Sequence, residues 1–347
     1  MPVRMKDIAQ DLGLSLITIS KALRGHPDIS DKTRERILQR VKELNYRPNF
    51  AARSLATGHS FLVGLVVPDL LQPFFTEIAK SLSNVLKDHD YFLLISSYDQ
   101  DPDMEVKEID LLRSLNVDAL VLASCRPSPD ALEPLKGGEP LLVLIDRHFE
   151  GFVSHYVGVD DVKVGMLATS HLIDIGKRKI AHIRGPKTSP GEERFQGYLQ
   201  TLRKHKIPFR QEYVFQMPLG DIDIRKQAAE GMNLLLNLPQ RPDAVFCFSD
   251  TIAIGAMDAI CNRGLRIPDD VAVIGCGNLP NDSAFRVPLS SIDQHSKEIG
   301  ERTGKLLLSL FAKKGRAKVR NIILEPELVV RESTRAPHRT PKNATRS

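Results

Sequence analysis

The sequence predicts a small all-α unit carrying a helix-turn-helix, followed by a large α/β unit built on parallel sheets. Two observations carry the fold. Two short apolar-periodic runs flank Gly13-Leu14-Ser15, and from Phe61 onward short Val/Ile/Leu runs alternate with helical stretches. A third concerns function: positive charge gathers at the two ends of the 347-residue chain, leaving the middle acidic.

Lys6-Asp7-Ile8-Ala9-Gln10-Asp11-Leu12 places Ile8 and Leu12 four apart, on one helical face. Gly13 is free to take the positive φ of a tight turn, and Ser15 is placed to cap the next helix. That helix runs from Leu16 to Leu23. Its inward face carries Ile19, Ala22 and Leu23, while Leu16, Ile17, Ser20, Lys21 and Arg24 point elsewhere. Such a second helix can enter a major groove of about 12 Å, although on spacing alone an ordinary helical hairpin fits equally well. A third, basic helix is capped within Ile29-Ser30-Asp31-Lys32-Thr33 and runs to about Asn45. Tyr46-Arg47-Pro48-Asn49 ends it. Asn49 to Gly58 is helix-compatible, yet only about two turns long and therefore marginal by itself in water.

Lys6-Asp7-Ile8-Ala9, Ser15 to Leu23, Tyr46-Arg47-Pro48-Asn49 and Ala52-Arg53-Ser54-Leu55 together resemble the LacI/GalR family of bacterial transcription regulators. The resemblance implies a headpiece at residues 1–48, a hinge helix and linker at 49–60, and homodimers that read palindromic operator DNA. It also implies that Asn49 to Gly58 orders on DNA, with Leu55 wedged between base steps in the minor groove. An apolar wedge partly unstacks a step, and the bend it creates allows more protein contact. Leu16, Ile17, Ser20 and Lys21 are expected at base edges and thymine methyls, and Ser15, Thr18 and Asn49, the cap of the hinge segment, are further candidate DNA contacts. Arg4, Lys6, Arg24, Arg34 and Arg53 are expected at phosphates.

The charge distribution agrees. Residues 1–60 hold eleven Lys/Arg against six Asp/Glu, and 335–347 hold four basic residues and no acid. The middle nets about −4 by difference, so the nucleic-acid-facing charge belongs to the headpiece. The tail from Arg335, rich in Pro, Thr and Asn, reads as disordered. Cys125, Cys247, Cys261 and Cys276 have no C-x-x-C spacing and lie in or beside apolar runs, so they are expected to be buried free thiols of a reducing compartment. No signal peptide and no apolar run near the roughly 18 residues of a membrane span is visible, which predicts a cytoplasmic protein without membrane attachment.

Strands are predicted at Phe61–Val67, Tyr91–Ser96, Ala119–Ala123, Leu141–Ile145, Lys179–Ile183, Ala244–Phe248 and Val271–Gly275. Helices fall near Phe74–Lys87, Met104–Leu115, Val162–Ile175, Gly191–Lys204, Ile224–Leu236 and Ile252–Arg263. Near-continuous Val/Ile/Leu strands spaced by helices mean parallel sheets covered on both faces. Residues 61–334 resemble the type I periplasmic-binding-protein fold, the effector-binding and dimerisation core of the same family. The resemblance implies two α/β lobes, about 61–160 plus 294–321 and 162–291 plus 323–334, with a small-molecule effector between them.

In parallel sheets ligands bind beyond the carboxyl ends of the strands. Phe74 and Phe75, in Pro68-Asp69-Leu70-Leu71-Gln72-Pro73-Phe74-Phe75, match a family motif whose aromatics stack on the ligand, though as residues they read equally well as core. Asp146-Arg147 matches a pair that bonds sugar hydroxyls in relatives, and its charge-assisted donor and acceptor suit a polyol. Arg194 matches an effector-contacting arginine; unaided, it reads as a surface helix residue. Ser249 stands where many sugar binders have asparagine, and Asp250 reads at least as a helix N-cap. Gln294 matches a crossover glutamine. Gly277, in Gly275-Cys276-Gly277-Asn278, departs from the pattern, since relatives commonly carry aspartate there; either Asn278 partly substitutes, or the effector is less polar than a standard sugar or is anionic.

No enzyme motif survives inspection. Gly300-Glu301-Arg302-Thr303-Gly304-Lys305-Leu306 is too short for a phosphate loop, lacks Ser/Thr after the lysine and lies in a helical run. Gly275-Cys276-Gly277 lacks a third glycine, and there is no G-x-S-x-G elbow or metal-ligand spacing. The reading is a repressor with no cofactor and no metal, responsive to a sugar or sugar derivative. The alternatives are a solute-binding protein or a sugar- or nucleoside-acting enzyme on the same core.

Overall fold

The structure, a computed structural model, describes residues 3–23, 25–46, 54, 58–136, 138, 140–218, 223–313 and 318–335. The chain divides into two compact units, residues 1–60 and 61–347. The expected hinge residues Asn49, Arg53 and Leu55, with Arg24, lie outside the described residues, as does the tail beyond Arg335.

In the first unit α1 (Met5–Leu12), α2 (Leu16–Leu23) and α3 (Asp31–Glu43) enclose a core of Ile8, Ala9, Ile19, Ala22, Ile37 and Tyr46. Gly13 ends α1 in the left-handed region at φ 65°. Ser15 Oγ then accepts the Thr18 N–H at 3.1 Å, and Ser30 Oγ accepts the Thr33 N–H at 3.4 Å, so each of the next two helices starts on a serine.

The second unit holds two six-stranded sheets. The first, in the order β11-β5-β4-β3-β1-β2, is wholly parallel and uses Leu62–Val67 (β1), Phe92–Ser97 (β2), Ala119–Leu122 (β3), Leu141–Ile145 (β4), His155–Val159 (β5) and Asn321–Leu324 (β11). The second, in the order β12-β10-β9-β8-β6-β7, uses Ile180–Arg184 (β6), Val214–Gln216 (β7), Ala244–Cys247 (β8), Ala272–Cys276 (β9), Ser290–Asp293 (β10) and Glu327–Val329 (β12). Only β12 in it runs antiparallel, against β10.

Helices α4 (Pro73–Lys87), α5 (Pro102–Ser114) and α10 (Ser296–Ala312) serve the first lobe, and α6 (Asp161–Asp174), α7 (Ser189–Lys204), α8 (Ile224–Leu236) and α9 (Asp250–Asn262) the second. The chain passes between lobes three times: after β5, after β10 and after β11. Because β11 pairs with β5, residues through Leu324 belong to the first lobe, which corrects the expected boundary at 321–323.

The strands that periodicity misses have reasons. β5 and β10 mix His, Tyr, Gly, Ser and Asp among their apolar residues; β7 and β12 have three residues each; β11 alternates between exposed and half-buried positions. Helix α10 is interrupted in sequence by Gly300 and Gly304, which look like breakers. They are contact points: a Cβ on Gly300 would lie 2.5 Å from the Ile78 carbonyl oxygen, so α4 and α10 meet backbone to backbone there.

A tighter crossing joins α6 to α7. A Cβ on Gly165 would sit 2.0 Å from the Arg194 carbonyl oxygen, and one on Gly197 would sit 2.1 Å from that of Val162. Two glycines thus let these backbones meet and fix where α7 carries Arg194. Among the cysteines, Cys125, Cys247 and Cys276 are buried but Cys261 is exposed, correcting the expectation that all four are buried; all are free.

Candidate DNA interface and interlobe site

On α2 the two faces differ sharply. Ile19 and Ala22 are buried in the three-helix core, whereas Leu16 is 47% and Ile17 69% exposed. Two large aliphatic side chains on one solvent face of a capped helix are an unusual outlay in water and suit contact with an apolar partner such as a thymine methyl. Lys21, in the last turn, gives its ammonium to Asp28 Oδ2 at 2.9 Å. Thr18 Oγ1 lies 2.9 Å from Ser15 Oγ, so Ser15 and Thr18 form the cap of the helix whose start they occupy.

Arg4 and Lys6 are exposed at the start of α1, where the Asp7 carboxylate accepts the Arg4 N–H at 2.8 Å; that bond holds Asp7 below the usual carboxylate range. Arg34 corrects an expectation. It donates to the carbonyls of His26 at 3.0 Å and Ile29 at 3.4 Å, so it shapes the α2–α3 connection.

In the second unit the expected effector residues sit at the carboxyl ends of strands, and their surroundings sort them. Asp146 follows β4 in the left-handed region at φ 59°. Its N–H donates to the Val157 carbonyl at 3.1 Å and its own carbonyl accepts the Tyr156 hydroxyl at 3.0 Å, which holds that conformation in place. Burial pushes its carboxyl up, against the pull of Arg147, Arg194 and His148. Arg147 is also buried, and turns into its own lobe toward the Tyr98 hydroxyl at 3.4 Å and the Ser124 carbonyl at 3.3 Å. Beneath it Glu105, fully buried, accepts from Ser124 Oγ at 2.6 Å and from the Cys125 N–H at 2.9 Å.

Arg194 is 2% exposed, not the surface residue that its isolated position in a helix suggests. Its Nε donates to Asp161 Oδ1 at 2.7 Å, a terminal nitrogen donates to the Phe248 carbonyl at 2.6 Å, and its guanidinium stacks 4.3 Å from the Phe248 ring. Asp161 is equally buried; desolvation pushes its carboxyl up and Arg194 pulls it back. The lobes are bridged beside this pair. The His148 N–H donates to Ser189 Oγ at 2.9 Å, and His148 Nε2 lies 2.8 Å from Glu193 Oε1, which raises the His148 pKa.

Three expected effector contacts are corrected. Phe75 is 2% exposed in the first lobe's core, with Phe74 against its edge at 5.1 Å; only Phe74 keeps a half-exposed face. Asp250 is not the cap of α9, since Ser249 Oγ accepts the Ile252 N–H at 3.4 Å. The Asp250 carboxylate is fully buried, accepting from Ser291 Oγ at 2.7 Å and the Leu279 N–H at 3.3 Å. Burial beside it pushes Asp282 up to about 9. A Cβ on Gly277 would lie 2.8 Å from Asp250 Oδ2, so Asp250 occupies the room that a larger residue at 277 would need. Asn278 cannot deputise: its amide nitrogen donates to Asp293 at 2.9 Å and its oxygen accepts from Arg331 at 2.5 Å.

Among the described residues, the buried polar atoms with no hydrogen-bond partner include Gln294 Nε2 after β10 and Thr188 Oγ1 before α7. Gln294 was expected from the sequence; Thr188 was not, because a lone threonine in a loop carries no spacing signal. Two surface grooves, of about 480 Å³ along α4 and α10 and about 680 Å³ around Asn278, His295 and Arg331, include none of Asp146, Thr188 or Arg194. Among the described residues there is no cluster of three or more potential metal ligands and no helix long and apolar enough to cross a membrane.

A capped helix-turn-helix with an apolar, basic reading face, on a chain whose core has two lobes and ligand-type groups at its strand ends, defines a DNA-binding transcription regulator controlled by a small molecule. Residues 4–49 match the family described as bacterial regulatory proteins, lacI family, and residues 60–332 match periplasmic binding proteins and sugar binding domain of LacI family. The chain belongs to the LacI family. It is 31% identical over 346 residues to the HTH-type transcriptional repressor PurR of Mannheimia succiniciproducens, covering 95% of this chain and 98% of that one. It is 31% identical over 333 residues to the repressor CytR of Escherichia coli K12, covering 96% of each. In fold it is similar to a Lac repressor dimer bound to operator and the anti-inducer ONPF, with a TM-score of 0.84, 23% identity, and coverage of 97% of this chain and 100% of that one. The relatives are repressors and not enzymes.

Proposed function

We propose that this protein is a cytoplasmic, homodimeric repressor that reads a palindromic operator through α2 and is controlled by a sugar or sugar derivative bound between its lobes. The observation that carries this reading is the exposed pair Leu16 and Ile17 beside Lys21 on a helix whose other face is fully used by the headpiece core. Relatives named as repressors support the direction of control. Palindrome reading needs two copies, and β2, at the edge of its sheet, offers a surface for pairing: Phe92 is 47% and Ile95 46% exposed. The effector would meet Phe74, Asp146, Arg194, Ser249, Thr188 and Gln294, with Arg147 stiffening Asp146 from behind.

Control is then linkage. Effector binding changes the angle between lobes, the lobe angle sets whether the operator-bound state is favoured, and the coupling must be reciprocal. A thermal-shift screen over sugars, sugar acids and nucleobases identifies a binder, whose affinity is then measured with and without operator DNA. The expected result is that operator changes effector affinity by the same factor by which effector changes operator affinity. Equal effector affinity in both conditions contradicts the proposal.

A further inference from the structure

The α2–α3 connection holds an acid directly against the DNA-reading lysine. Asp28 Oδ2 accepts the Lys21 ammonium at 2.9 Å, and His26 Nδ1 lies 3.3 Å from the same oxygen. The loop that presents Asp28 is built, not loose. The His26 N–H bonds back to the Lys21 carbonyl at 3.0 Å, the Ile29 N–H bonds to the His26 carbonyl at 3.3 Å, and Arg34 ties the carbonyls of His26 and Ile29 together. Lys21 and Asp28 keep 35% and 59% of their side-chain surface in solvent, so the pair is accessible and weakly held.

We infer that Asp28 is a specificity-determining residue: it neutralises Lys21 on non-cognate DNA and releases it only where a base edge offers a better acceptor. The inference rests on the reading that α2 enters the major groove. On arbitrary sequence no strong base acceptor is placed to meet Lys21, so it stays with Asp28 and contributes nothing to phosphate attraction, the sequence-independent part of affinity. Meanwhile a carboxylate held near the duplex repels the backbone. On operator, a guanine edge presenting O6 and N7 competes for the ammonium, and an exposed ion pair is cheaply given up. The acid thus lowers non-cognate binding more than cognate binding, which is specificity obtained by a repulsive element.

The test uses the full-length protein with two probes, a random-sequence 30-bp duplex and the duplex that the wild type recovers most strongly from a random pool. Asp28→Asn should raise affinity for the random duplex about fivefold and steepen its dependence on log salt by about one unit, the signature of one more phosphate neutralised. Affinity for the selected duplex should change less than twofold, so the ratio between the probes falls. In a Lys21→Ala background, Asp28→Asn should move both probes by one common factor, because there is no ammonium left to release. An equal gain on both probes in the wild-type background, or no gain on the random duplex, overturns the inference. If Lys21→Ala leaves affinity for the selected duplex intact, the groove reading itself fails, and that result is separate from any effect of Asp28.

Discussion

Replacing Arg194 by methionine is expected to destabilise the core by about 3–5 kcal/mol at pH 8, because it removes one partner of a buried ion pair and leaves the other buried without its counter-charge. Among the described residues Asp161 would keep no comparable cation: it and Arg194 are each only 2% exposed, and the 2.7 Å bond to Arg194 is the one ion pair it makes there. The sign of the pH dependence follows. Burial already raises the Asp161 pKa, and without Arg194 it rises further, so the folded variant prefers a protonated Asp161. A carboxyl raised in the folded state favours folding at low pH and loses that contribution as pH climbs through its folded value. The deficit of Arg194→Met should therefore shrink from pH 8 to pH 5, as read by urea melts. Adding Asp161→Asn should recover most of the loss, since replacing both members of a buried pair is far cheaper than breaking it. Effector binding should be lost in the single variant at any pH.

The second large effect is at Gly165. In an ordinary helix interior, glycine to alanine is worth about 1 kcal/mol in the helix's favour. Here a Cβ would lie 2.0 Å from the Arg194 carbonyl oxygen, a backbone atom that cannot rotate aside. Overpacking of this kind typically costs about 1–3 kcal/mol, so Gly165→Val, whose branches add to the clash, should lose about 3 kcal/mol or more. Because the displaced segment carries Arg194, effector response should weaken even at temperatures where the variant is folded. A Gly165→Ala variant more stable than wild type would show that the α6–α7 crossing is looser than described.

Both predictions concern features that the linear chain conceals. The headpiece was readable because its logic is local: Ser15 caps three residues ahead, Gly13 turns, and Ile19 and Ala22 fall on the face opposite Ile17. Six of the seven predicted strands were readable because burial on both faces leaves a continuous apolar run; β2 carries a similar run at a partly exposed sheet edge. Arg194 was legible only through family likeness, since its burial is decided by Asp161, thirty-three residues earlier, and by the carbonyl of Phe248. Asp250 looked like a cap because Asp before a helix usually is one; Ser291 Oγ, forty-one residues on, draws it inward instead. β10 and β5 escaped because their polar residues are satisfied inside the protein, as Ser290 is by Arg331 and Thr334. Gly277 was visible as a departure, but that Asp250 fills the vacated room requires the fold.

The central claim is that α2, presented twice, reads one symmetric duplex. Selection from a random-sequence duplex pool by the full-length protein, followed by sequencing, tests it most directly. The account predicts an enriched motif with two-fold symmetry that is lost when Ile17 is replaced by aspartate, while residual salt-sensitive binding to arbitrary DNA persists. Recovery of no motif, of an asymmetric one, or of the same motif by Ile17→Asp would contradict it.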